Sequence, residues 1–309
     1  MALYLHTLLF ILPSLAAASR IPAVIVFGDS TIDAGNHDYI LTLVKADFPP
    51  YGRDFPGGRP TGRFCKALGL PPTVPTYLDP SYSIQDFATG VCFASAGTGL
   101  DAATSNVVSV IPLRQEVELF KEYQKKLTGY AGEAKARHII GEAVYVVSVG
   151  TNDFIENYFS PLADQRREQF TVEEHVDFLV DLAANFVSEI YRLRARKVCF
   201  IGLTPFGCLP TNRATNLMER GECMEEYNEA ARSFNRKLQA MVGRLHASLP
   251  GLRLVYNPVY DFLLRVIRNP ESYGKFAGGV RGGLPLQQME SQHLRRRGQV
   301  PVMAARSFI

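Results

Sequence analysis

The sequence predicts an α/β protein built on a parallel sheet, and two patterns carry that expectation. Largely apolar runs recur at 23–27, 91–94, 143–149 and 198–203, with a further strand-like segment at 252–256, as expected of strands in a buried parallel sheet. Stretches with helical spacing of apolar residues stand between or after them, at 113–127, 172–193, 222–249 and 260–267. Strands alternating with helices call for a parallel sheet with helices on its faces.

The elements follow in order. The first strand, Ala23-Val24-Ile25-Val26-Phe27, ends at Gly28, which can take backbone conformations closed to other residues. Residues 38–45 read as a short helix, and 49–62 as a loop rich in Pro and Gly. A crossover helix before the second strand is hard to find, because 63–70 is short and runs into Pro71-Pro72. The second strand ends in Ser95-Ala96-Gly97-Thr98-Gly99 and the third in Gly150-Thr151-Asn152-Asp153. From Gly274 onward periodicity is lost.

The chain of 309 residues is long enough for a full core, with 47% hydrophobic and 20% charged residues. A net charge of +3 is too small to argue for nucleic acid. Most of the excess lies in Lys275, Arg281, Arg295, Arg296, Arg297 and Arg306, against Glu290 alone. Residues 1–18 read as a secretory signal peptide, with Leu8-Leu9-Phe10-Ile11-Leu12 as its apolar centre and Ala16-Ala17-Ala18 offering a small-residue cleavage site. Its apolar stretch is too short to anchor the chain in a bilayer. The expectation is therefore an exported protein, with one folded domain over 19–274 and an irregular basic tail over 275–309.

Of five cysteines, Cys92 and Cys199 fall in strand-like segments and read as buried and inert, while Cys65 is unassigned. Cys208 and Cys223 flank a polar loop and are the best disulfide candidates. No Cys/His cluster has metal-ligand spacing and no Asn-x-Ser/Thr sequon occurs. No cofactor is called for.

Three strand ends carry the candidate chemistry. Ser30 follows the first strand, where α/β sheets build their sites. The backbone N–H groups of Ser30 and Gly97 and the side-chain amide of Asn152 are donors suited to a developing oxyanion. Each also has a plain structural reading. Ser30 or Asp33 can cap a helix, Gly97 and Gly99 can relieve a tight loop, and Asn152 can cap a helix beginning near Asp153.

Taken together, several blocks resemble the plant secreted branch of the GDSL-type esterase/lipase family. They are Phe27 to Asn36, Gly62-Arg63-Phe64, Phe93 to Gly99, Gly150-Thr151-Asn152-Asp153 and Thr204-Pro205-Phe206-Gly207-Cys208-Leu209-Pro210, spread through most of 21–274. The resemblance implies a three-layer α/β/α, flavodoxin-like fold, incomplete here at one crossover helix and at the C-terminus. It implies hydrolysis of carboxylic esters through an acyl-enzyme on Ser30. Ser30, Gly97 and Asn152 are then the oxyanion hole, and a Cys208–Cys223 disulfide fits. Gly-x-Ser-x-Gly, the α/β-hydrolase elbow, is absent.

Two departures from the family pattern matter. After Gly62-Arg63-Phe64 the chain passes almost directly to Leu70-Pro71-Pro72, losing most of a crossover helix and exposing part of one sheet face. The family's Asp-x-x-His block, which supplies the general base and its orienting carboxylate, occurs nowhere, and there is no Trp. Glu290 and His293 have the right spacing but lack the following proline. His37 reads as a polar loop residue near the site, and His138, His175 and His246 as solvent-facing. Two readings result: an exported serine ester hydrolase of doubtful activity, acting on small-molecule or polymer-borne acyl esters, or a non-catalytic binding relative or aberrant gene product that keeps the scaffold. Oligomeric state is left open.

Overall fold

The computed structural model describes residues 21–42, 45–48, 73–160, 165–219 and 221–273. The leader at 1–18, Cys65, the short 63–70 segment, Glu290, His293 and the tail at 275–309 lie outside them.

Five strands form one parallel sheet: β1 (Val24–Gly28), β2 (Gly90–Cys92), β3 (Val144–Ser148), β4 (Lys197–Ile201) and β5 (Arg253–Asn257). Their order is β2-β1-β3-β4-β5. Around them run α1 (Ile84–Phe87), α2 (Ala102–Val107), α3 (Leu113–Ala131), α4 (Glu133–Glu142), α5 (Thr151–Ile155), α6 (Gln165–Gln169), α7 (Val172–Arg192), α8 (Pro210–Thr215), α9 (Glu225–Ser248) and α10 (Tyr260–Arg268). All five predicted strands and the helices read at 113–127, 172–193, 222–249 and 260–267 are present, with ends shifted by a few residues.

The strand order dictates where the helices go. Parallel crossovers are right-handed, so the one step from β1 outward to β2 and the three steps back across the sheet place their connections on opposite faces. On one face Ile25, Phe27, Tyr145, Val147, Val198, Phe200 and Leu254 pack with Phe120 of α3, Leu179 of α7 and Phe234 of α9. The other face is held by smaller clusters, Val24, Val26 and Cys92 with Ile32, Ala34 and Val74, and Ile21 with Val144 and Cys199. There Val146, Ile201 and Val255 are only half-buried. Among the described residues, the β1–β2 connection contains only α1 as α-helix.

The described residues of 38–45 do not form the expected α-helix. A single 3₁₀ turn spans Asn36–Tyr39, and Ile40 is extended. The Lys45 ammonium donates to the carbonyls of His37, Asp38 and Ile40, at 3.3, 2.8 and 2.6 Å. Those carbonyls are thereby satisfied by a side chain rather than by the next helical turn. Cys208 and Cys223 are joined by a disulfide. Met224 N–H donates to Gly207 O at 2.9 Å, so α9 begins at Glu225 rather than at 222.

Candidate active site

The candidate site lies at the carboxyl ends of three adjacent strands, with β1 between β2 and β3. Gly28 closes β1 at φ +141°, and a Cβ there would stand 1.9 Å from the Ser148 carbonyl oxygen of β3. Only glycine fits this crossing. The next peptide continues against β3, with Asp29 N–H donating to Ser148 O at 2.9 Å. The chain then turns tightly, Asp33 N–H donating back to Asp29 O at 3.0 Å.

Asp29 braces that turn from inside. It accepts from Thr31 N–H at 2.9 Å and from the Thr31 hydroxyl at 2.7 Å, and the Thr31 and Ser148 hydroxyls are 2.7 Å apart. Burial raises its carboxyl to about 6 against the pull of those Thr31 donors. Ser30 rides on the outside of the turn, partly exposed, with no hydrogen bond to its hydroxyl among the described residues.

The β2 end is stitched to this turn. Ser95 N–H donates to Gly28 O at 2.8 Å. Asp33, inside the turn, takes Gly35 N–H and Asn36 N–H on one oxygen and Ala96 N–H on the other, at 2.7, 2.8 and 2.8 Å. Asn36 adds three bonds, donating to the carbonyls of Cys92 and Ala94 and accepting from Leu78 N–H. Gly97 is held at φ +84°, where a Cβ would press on Val108 and Val110 at 2.9 and 3.1 Å.

The β3 end supplies Asn152, in the first turn of α5 rather than capping it. Its Nδ2 donates to Thr98 O at 2.9 Å, which ties the amide beside Gly97 and leaves its second N–H free to donate. Asp153 is fully buried behind it and gathers Leu100 N–H, Asp101 N–H and the Thr104 hydroxyl, at 2.8, 2.9 and 2.7 Å. Burial raises Asp153 to about 7 despite these donors. Hydrogen bonds thus tie the Ser30 turn to the loop bearing Gly97, and that loop to Asn152 at the start of α5.

Two histidine readings need correction. His37 is buried, not a polar loop residue: Nδ1 pairs with Asp33 and Nε2 lies 3.3 Å from Asp38. Burial pulls its pKa down, but the Asp33 hydrogen bond and the two negative charges outweigh that and leave it raised. A ring facing carboxylates on both nitrogens favours the imidazolium, which cannot accept a proton from Ser30. His175 is also buried rather than solvent-facing, stacked on Tyr158, and burial lowers it to about 4. His138 and His246 are exposed. Cys92 and Cys199 are free, buried thiols, pushed upward by burial, Cys199 to about 12.

The GDSL-like Lipase/Acylhydrolase family model matches residues 24–280, which is most of the chain. The chain belongs to the GDSL lipase/acylhydrolase family. It is 52% identical over 268 residues to the GDSL esterase/lipase At2g42990 of Arabidopsis thaliana, covering 84% of this chain and 76% of that protein. It is 49% identical over 283 residues to At2g04570 of the same plant, also a GDSL esterase/lipase, covering 87% and 80% respectively. A third, At4g26790, is 51% identical over 266 residues, covering 83% and 75%.

Within this GDSL chain, the supporting residues were harder to read than the site itself. Asp33, Asn36 and Asp153 lie inside the matching blocks, but their spacing does not say what they hold. Glu116 stands outside every block. Its signal is a carboxylate on the apolar face of α3, between Leu113 and Val117. Among the described residues no group of His, Cys, Asp and Glu could hold a metal ion, and no helix is long and apolar enough to cross a membrane.

Proposed function

We propose that this chain hydrolyses carboxylic esters through Ser30, slowly, because no base pairs with its hydroxyl among the described residues and the sequence holds no Asp-x-x-His block. Family membership supports ester chemistry. The observation that carries the assignment to Ser30 is the bonded junction of its turn with the Gly97 loop and the Asn152 amide.

In the reaction, Ser30 Oγ attacks the acyl carbonyl carbon and its proton passes to a base. The carbonyl oxygen becomes an oxyanion facing Ser30 N–H, Gly97 N–H and the second N–H of Asn152 Nδ2. Collapse of the tetrahedral species expels the alcohol, which takes up the proton, and leaves the acyl group on Ser30. Water then adds to that ester and releases the acid.

The base is the weak part. No Asp-x-x-His occurs in the chain, and His37 is committed to two carboxylates. Glu290 and His293 are the remaining candidate pair, outside the described residues. With oxyanion donors and binding alone, the rate is about 10³–10⁴ above water, as in serine proteases stripped of their triads. A binding relative without turnover is the second reading, favoured by the same unpartnered hydroxyl.

We assign the chain to the exported proteins as well, on the leader-like 1–18 segment and on the Cys208–Cys223 disulfide, a bond that persists in oxidising compartments. The test of function is p-nitrophenyl butyrate turnover by wild type and Ser30→Ala, with fluorophosphonate labelling of both. A weak rate abolished in Ser30→Ala supports the hydrolase. Equal rates and no labelling decide for the binding relative. A rate typical of intact family members overturns the claim of a missing base, and His293→Ala then identifies it.

A further inference from the structure

We infer that Glu116 is a positioning residue: its neutral carboxyl fixes the end of β1 that carries the nucleophile turn. The inference rests on the Ser30 reading for the meaning of that placement, and on geometry of its own for the contact.

Glu116 lies on the face of α3 that otherwise sends Leu113, Val117 and Phe120 into the main core, and it is fully buried. Its Oε2 accepts the N–H of Gly28 at 2.9 Å, across 88 positions of sequence. Gly28 is two residues before Ser30, and its own carbonyl is taken by Ser95 N–H. One carboxyl from a distant helix therefore closes the last backbone donor of β1.

The other oxygen, Oε1, is buried with no hydrogen-bond partner among the described residues. The Thr98 side chain would favour an ionised carboxyl only by donating to it. The Thr98 hydroxyl sends its proton to Ile111 O at 2.6 Å, and its carbonyl carries the Asn152 amide. A hydroxyl whose proton is committed elsewhere offers lone pairs, not a donor. An ionised Oε1 there would be a buried charge with no donor of its own among the described residues.

The surroundings favour the proton. Burial is the main cause that pushes Glu116 well above the usual carboxylate range, and the nearby charges, Asp33 and Asp29, are both negative. The Cys92 thiol, also within reach of its field, is itself pushed upward by burial. Neutral Glu116 accepts the Gly28 N–H without burying a charge. Ionised, it repels Asp29 and Asp33.

The test compares wild type, Glu116→Gln, which keeps one acceptor and one donor without a titrating proton, and Glu116→Leu. Infrared difference spectra of wild type against Glu116→Gln at neutral pH should contain the carbonyl stretch of a protonated carboxyl. Amide exchange at Gly28 should quicken about fivefold in Glu116→Leu and stay at the wild-type rate in Glu116→Gln, one lost backbone hydrogen bond being worth about 1 kcal/mol. Fluorophosphonate labelling of Ser30 should fall at alkaline pH in wild type together with the infrared band, and stay flat in Glu116→Gln. In Glu116→Leu it should fall by about 10²-fold, the effect of a small misplacement of reacting groups.

Absence of the protonated band at neutral pH overturns the inference. So does exchange in Glu116→Gln that matches Glu116→Leu, or a labelling profile shared by wild type and Glu116→Gln. If Glu116→Leu does not fold, the infrared and pH arms still decide. If no variant is labelled at all, the Ser30 hydrolase fails, while the band and the exchange rates still judge Glu116.

Discussion

At the scale of single residues, the candidate site depends on positions with narrow steric and hydrogen-bonding demands. Gly28 crosses within contact of the Ser148 carbonyl at a φ reserved for glycine, so Gly28→Ala combines backbone strain with a direct clash. The expected cost is about 3 kcal/mol or more, read as a lowered urea midpoint or loss of soluble protein. A midpoint within about 0.5 kcal/mol of wild type would show that the β1–β3 crossing has slack. Asp153 gathers three donors with two oxygens. Asp153→Asn keeps one oxygen and turns an amide N–H₂ toward donors, a loss of about 2–3 kcal/mol. The same variant should weaken Ser30 labelling, because the 98–101 loop that Asp153 holds also carries the Asn152 contact. Wild-type stability in Asp153→Asn would mean that the carboxyl is dispensable as an acceptor.

At the scale of elements, the helices formed where apolar spacing and end signals agreed. α7 has both: its buried face runs from His175 to Ile190, and Thr171 with Glu174 forms a capping box. Thr171→Ala should lower stability by about 1 kcal/mol without touching the site, measured by thermal melting; no change would show that tertiary packing alone holds that end. The segment over 38–45 illustrates the opposite case. Its local preference for helix lost to Lys45, whose ammonium serves three carbonyls at once, a local side-chain contact that periodicity does not reveal. The loop after β4 depends on the Cys208–Cys223 bond, which spans 15 positions and carries the exposed Leu217 and Met218. Reducing it should cost about 3 kcal/mol by the chain-entropy account, seen as a lower melting temperature with reductant.

At the scale of the whole molecule, buried acids set how stability follows pH. Asp153 and Asp29 rise from 3.8 to about 7 and about 6, and Glu116 rises well above its ordinary value, all chiefly through burial. The fold therefore holds protons that the unfolded chain has released, so these groups stabilise at low pH and that gain is lost as pH rises through their folded values. His37, raised by its carboxylates, acts in the same sense. His175, lowered to about 4, acts against it below 6.5. Glu122, Glu173 and Glu174 are lowered from 4.5 and matter only below that value. Between about pH 8 and about pH 5.5 the raised groups outnumber His175, so the melting temperature should rise by about 3 °C or more on acidification. A melting temperature that is flat or higher at the alkaline end contradicts this.

The sequence by itself determined the strands, the long helices and the three loop ends bearing Ser30, Gly97 and Asn152, because largely apolar runs, amphipathic spacing and glycine at strand ends are local signals. It also determined that no Asp-x-x-His block is present. Only the tertiary structure decided which residues hold that site. Glu116 reaches Gly28 over 88 positions, and Asp33 reaches Ala96 over 63. Burial lowers His175, expected at the surface, to about 4, whereas Asp33 and Asp38 raise His37 against the pull of burial. Hydrogen bonds between distant loops and the loss of water around a charged group depend on what the fold brings near, and a single sequence does not carry that distance.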